Sequence, residues 1–181
     1  LTRLGLWNTN LTCDFYCRDE VEGDSIFVGA RVMYNGHEYV VTAVNPLKLG
    51  DLSGVKAISD ALLVNGSIRH IDVRSNQIYG DGALQLSATV LANTTIEVFN
   101  EIPVKEMRAD SFTKLNLIDR RFCCEGAMVV AGLIPNMGSL TSLNVLSNEL
   151  MDAESADLLL RVKAENPQLR TLCGLTHNET D

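Results

Sequence analysis

Apolar positions recur along this chain with two alternating periods. From Val55, Ala83, Ala127 and Ser155, further apolar residues follow three and seven positions on: Ile58 and Leu62, Leu86 and Val90, Val130 and Ile134, Leu158 and Val162. That spacing puts all three positions on one face of a helix and predicts four amphipathic helices. Each helix gives way to an alternating run, Ile68-x-x-Ile71-x-Val73-x-x-Asn76-x-Ile78 in one place and Leu140-x-x-Leu143-x-Val145-x-x-Asn148-x-Leu150 in another. Phe112-x-x-Leu115-x-Leu117 and Leu1-x-x-Leu4-x-Leu6 follow the same rule. Residues two apart in an extended chain share a face, so each run predicts a short strand with two side chains turned inward. The small residues that open the helices are spaced by 28, 44 and 28 residues.

A strand plus a helix repeated every 28 or so residues fits a leucine-rich repeat solenoid. No unit covers its own apolar face, so units stack, with parallel strands on a concave inner face and helices outside. The asparagine at the ninth motif position has a mechanical use, because its amide can bond backbone groups of the turn. Asn65, Asn93 and Asn166 each stand three residues before a strand, a place that suits a left-handed residue ending a helix.

Two segments break the period. Residues 12–52 carry about 39 extra residues, including the run Ala30 to Val44 with Asn35-Gly36 at its middle. Asn-Gly between two β-rich runs predicts a hairpin, because a type I′ turn needs positive φ at both central residues. This hairpin resembles part of a small SH3- or KOW-type barrel. It is either a decoration packed on the solenoid edge or a docking element exposing Tyr34, His37 and Tyr39. The second break, 96–111, is polar and contains Pro103; it reads as an insertion loop between one strand and the next. The expected organisation is therefore a first strand in 1–11, an insert in 12–52, a repeat in 53–95, a loop in 96–111 and further repeats in 112–181. An array that ends so abruptly is expected to be part of a longer one.

The stretch Asn76-Gln-Ile-Tyr-Gly-Asp-Gly-Ala83 resembles the ribonuclease-inhibitor-like superfamily of leucine-rich repeats, which includes Ran GTPase-activating proteins and the repeat domains of innate immune receptors. Ser139 to Asn148 and Leu169 to Leu175 are similar to repeat proteins of unicellular algae and other protists. The resemblance covers 1–11 and 53–175. It implies an α/β solenoid that recognises proteins, and it implies no reaction. Arg120-Arg121-Phe122 and Cys123 depart from the pattern at one turn.

Composition narrows the chemistry. The chain of 181 residues has a net charge of −8 and 46% hydrophobic residues, a globular and acidic balance that disfavours nucleic acid as a partner. No run is apolar and long enough to span a membrane. With no secretory signal in view, an intracellular and most simply cytoplasmic setting is expected, and the Asn-x-Ser/Thr triplets are not read as glycosylated. Cys13, Cys17, Cys123, Cys124 and Cys173 give no disulfide framework and no metal-ligand spacing. Cys13-x-x-x-Cys17 has no further ligand beside it, and the pair Cys123-Cys124 is expected as small buried side chains, with redox chemistry the alternative. Gly80-Asp81-Gly82 is explained as a turn into a helix, and no catalytic motif is present. Neither an enzymatic role nor a cofactor nor a metal is expected.

The strand face holds the candidate binding residues. Its third motif position reads Arg3, His70, Lys114, Ser142 and Thr171; its fifth Gly5, Asp72, Asn116, Asn144 and Cys173; its seventh Trp7, Arg74, Ile118 and Leu146. Arg3, His70, Arg74 and Lys114 form an expected cationic stripe, with Asp72 among them and Trp7, Ile118 and Leu146 as apolar anchors, a composition common in protein interfaces. The expected function is a non-catalytic protein-binding scaffold. The alternatives are a subunit of a large assembly, contacting its neighbours through helices and inserts, and a GTPase-activating or other regulatory protein by family analogy.

Overall fold

The computed structural model describes residues 2–5, 15–16, 31–34, 37–44, 47–50, 52–76, 78–148 and 153–174. Strands and helices alternate. After β1 (Arg3–Gly5) and the insert come α1 (Ser53–Val64), β6 (His70–Asp72), α2 (Gly80–Ala92), β7 (Val98–Phe99), α3 (Val104–Arg108), β8 (Lys114–Asn116), α4 (Cys124–Leu133), β9 (Ser142–Asn144), α5 (Ala153–Glu165) and β10 (Thr171–Leu172). All pairing among these strands is parallel, in the orders β1-β6-β7 and β8-β9-β10. The helices pack in sequence, α1 on α2, α2 on α4 and α4 on α5. The protein is thus a mixed α/β structure with short parallel strands and five helices.

The core lies between the two layers and is built from the predicted positions. Val55 and Leu62, Ala83, Leu86 and Val90, and Ala127, Val130 and Ile134 are all buried, as are the inward strand residues Ile71, Val73, Leu115, Leu117, Leu143 and Val145. One glycine is required by close packing: a Cβ on Gly126 would lie 2.5 Å from Cβ of Phe122. The departure at Arg120-Arg121-Phe122 is absorbed here: Asp119 and Arg121 take positive φ, and Phe122 is fully buried against Gly126.

Four expectations need correction. Residues 96–111 are not a plain loop. They hold β7 and the five-residue α3, because Ile96, Phe99, Ile102, Val104 and Met107 are apolar enough to bury a miniature unit of their own. Second, Asn65 and Asn93 end their helices in extended conformation, with ψ of 112° and 106°. Their side chains instead fix the turn that follows: Asn65 Oδ1 accepts from the backbone N–H of Ser67 and Ile68, and Asn93 Oδ1 from that of Thr95. Third, in α5 Leu158 is only half-buried and its neighbour Leu159 is buried, while Val162 is buried as expected.

The fourth correction concerns the strand face, expected as one sheet. Among the described residues β7 and β8 do not pair, so the face divides into two three-stranded sheets. The outer side of β7 is engaged by its own turn: Phe99 and Ile102 each donate a backbone N–H to the other's carbonyl, at 3.1 and 2.7 Å.

Within the insert, β3 (Arg31–Tyr34) and β4 (His37–Val44) are antiparallel, with Tyr34 opposite His37, so two residues connect them as the Asn-Gly signal predicts. The hairpin extends to a four-stranded antiparallel sheet, β2-β5-β4-β3, with β2 (Phe15–Tyr16) and β5 (Leu47–Gly50), which the sequence pattern did not anticipate. Cys13 and Cys17 lie outside the described residues.

Candidate binding face

The candidate residues sit on strands held at fixed pitch by side-chain hydrogen bonds between units. Asn93 Nδ2 donates to the carbonyls of Leu62 and Asn65, Thr95 Oγ1 to that of Ile68, and Thr141 Oγ1 to that of Thr113. Asn148 Nδ2 donates to Leu117 O and Val145 O, and Arg120 N donates to Asn148 Oδ1. Each contact crosses 27 to 31 residues of sequence or closes the local turn. Ser75, Asp119 and Ser147, one per turn, take φ of 58°, 53° and 59°.

The fifth motif position is structural as well as exposed. Asp72 Oδ1 accepts the N–H of Arg74, Asn116 Oδ1 that of Ile118, and Asn144 Oδ1 that of Leu146. A side-chain oxygen bonding two residues ahead mimics a backbone turn, which explains why Asp or Asn stands there three times.

The two sheets present different chemistry. Register places His70 between Arg3 and Val98, and Gly5 beside Asp72. Arg3, His70, Asp72, Arg74, Val98 and Glu101 line a cleft of about 320 Å³. Arg74 is not available as a free cation. It grips Asp72 through Nε and Nη2 at 2.9 and 2.7 Å, meets Glu101 at 2.8 Å, and donates from Nη1 to the carbonyl of Arg120. Arg120 in turn binds the other oxygen of Glu101 at 2.9 Å. Burial opposes the charge on Asp72, but the hydrogen bonds and charge of Arg74 outweigh it and keep the carboxyl below its usual range. Asp72, chiefly through its hydrogen bond, raises the affinity of Arg74 for its proton. The hydrogen bond from Arg120 comes first in holding Glu101 ionised. The latch therefore ties β6 and β7 to the turn after β8, across the gap between the sheets. The expected cationic stripe is not continuous: Arg74 is neutralised, and Lys114 stands on the other sheet.

That second sheet carries Lys114, Asn116, Ser142, Asn144 and Thr171 outward, with Lys114 opposite Ser142 and Asn116 opposite Asn144. Ile118 and Leu146 follow in equivalent turns and are 40% and 50% exposed, although both are large aliphatic residues. Trp7 and the side chains of Tyr34, His37 and Tyr39 lie outside the described residues.

Sequence reasoning missed a buried polar pair under the gap. Asn100, at φ 48° and fully buried, accepts the N–H of Val73 and donates to Glu125 Oε1 at 2.8 Å. Glu125 Oε2 is buried without a partner, and burial pushes the carboxyl up to about 7. Cys124, fully buried, and half-buried Cys123 lie beside it with Sγ atoms 3.8 Å apart. The contact with Cys124 and then burial raise the Cys123 thiol far above its ordinary value, which leaves it un-ionised and a poor nucleophile. The spacing of Asn100 from Val73 was the available signal, but the truncated unit hides it.

Among the described residues no helix is long and apolar enough to cross a membrane, and no cluster of three or more His, Cys, Asp or Glu is placed to hold a metal. No family model, curated protein or solved structure matches the chain.

Proposed function

We propose that residues 53–174 are successive units of a leucine-rich repeat solenoid of the ribonuclease-inhibitor-like kind, and that the chain binds a protein through its strand face. The parallel registered strands, the helices packed in sequence and the hydrogen bonds repeating near 28 residues support the architecture. One observation carries the function: Ile118 and Leu146 hold the same position in adjacent units and both remain exposed. Side chains of this kind on a backbone already fixed by its neighbours give contact area with little ordering cost on association. An affinity-capture comparison of the wild-type chain with the Ile118→Glu/Leu146→Glu variant tests it. The variant loses the partners recovered by the wild type while keeping its melting temperature. Unchanged recovery sinks the reading.

A second reading, membership of a larger assembly through the helical side, rests on a groove of about 360 Å³ among α2, α4 and α5, lined by Leu84, Leu91, Met128 and Leu158. Leu84 there is 59% exposed. Partners lost on Leu84→Glu but retained by the strand-face variant favour that reading.

A further inference from the structure

The second sheet offers several hydrogen-bond donors side by side. The turns already engage the amide oxygens of Asn116 and Asn144, each accepting an N–H at 3.1 Å, while no bond among the described residues uses their NH2 groups. Ser142 Oγ accepts from Thr171 at 2.8 Å and keeps its own proton to donate. Lys114, opposite Ser142 and exposed, forms no ion pair among the described residues and adds an ammonium group. Neighbouring strands lie about 4.8 Å apart, so these donors sit within the span of a few residues of extended chain. The nearby carboxylate of Asp119 is highly exposed on the following turn and faces Arg121 Nε at 4.0 Å. Beside the donors stand the aliphatic side chains of Ile118 and Leu146.

We infer that this half of the strand face, taken as the binding face above, receives an extended acidic peptide segment of the partner, with a carboxylate over Lys114, Asn116 and Asn144 and an aliphatic side chain against Ile118 and Leu146. Charge-assisted donors favour a carboxylate over a neutral carbonyl. An exposed lysine without an ion pair among the described residues, set beside two aliphatic residues, favours a peptide over a nucleic-acid backbone, which needs several cations to bind well. The negative charge of the rest of the face does not oppose the peptide strongly, because Asp72 and Glu101 are held by Arg74 and Arg120, and Glu97 by Lys105.

The test selects peptides from a displayed random library on the whole chain and measures a synthetic peptide of the selected sequence by fluorescence anisotropy. The selected peptides carry Asp or Glu next to Leu, Ile or Val. Lys114→Glu weakens binding by about tenfold or more, the scale of one charge-assisted contact. Asn116→Asp/Asn144→Asp, which keeps both turn acceptors and removes both donors, also weakens it without lowering the melting temperature. Peptides lacking acids, no enrichment, indifference to these variants, or displacement by a single-stranded oligonucleotide overturns the inference. If non-acidic peptides bind and Ile118→Glu/Leu146→Glu abolishes them, the strand-face reading stands and this inference alone falls. Binding that survives that variant too removes both.

Discussion

Single polar side chains do much of the work of spacing this structure. Asn93 both fixes the turn after its helix and bridges to the carbonyls of Leu62 and Asn65. Asn93→Ala leaves those partly buried carbonyls without a protein donor and is expected to lower unfolding free energy by about 1–3 kcal/mol in urea titrations. Asn93→Asp, which keeps the acceptor for the Thr95 N–H and loses the bridge, should recover part of the loss. Glu125 gives a different signature. Its carboxyl rises from 4.5 in the unfolded chain to about 7 in the folded one, because burial penalises the charge. The folded state therefore holds the proton more tightly, and the stability this contributes is complete below about pH 4.5 and is lost as pH rises through about 7. The expected change is roughly 3 kcal/mol at most. Glu125→Gln should flatten this dependence, so its melting temperature gains on the wild type from pH 4.5 to pH 7.5. Parallel curves for the two proteins would contradict the assignment.

At the scale of elements, the apolar periodicity marks α1, α2 and α4, since Val55, Ala83 and Ala127 are all buried on the face it predicts. What it could not reveal were features decided by contacts between units. Arg74 looks like a binding residue from its place on the strand face, yet Asp72, Glu101 and the carbonyl of Arg120 hold it. Nothing local announces that Glu101 will lie opposite it, because Glu101 belongs to the truncated unit. Likewise α3 is too short for a helical period, and its five residues are held by burial of Val104 and Met107. Arg74→Met removes the latch and leaves Asp72 without its cation, while Glu101 keeps Arg120, so it should destabilise by about 1–3 kcal/mol. Lys114→Glu, at an exposed position, should change stability by less than about 0.5 kcal/mol. Equal effects of the two in thermal melts would show that Arg74 is no more embedded than Lys114. The pair also separates stability from binding, because only Lys114 belongs to the proposed peptide site.

Across the whole molecule, the two sheets form separate hydrogen-bonded blocks, β1-β6-β7 and β8-β9-β10. They are joined by the contact of α2 with α4 and by the Arg74–Glu101–Arg120 bridge. Native-state hydrogen exchange should therefore report two groups of strand amides with different opening free energies, divided between Phe99 and Lys114. The Arg74→Met variant should widen the difference. A single opening free energy for both groups would mean that the helical layer alone makes them cooperative.

The turn that closes on β7 has a consequence for chains meeting other chains. An interior break in a sheet ordinarily exposes a row of unsatisfied amides, which can recruit a foreign strand and seed aggregation. Here the outward N–H and carbonyl of Phe99 are already spent on Ile102, so the β7 side of the break is closed from within and offers no free amide or carbonyl of Phe99 to a foreign strand.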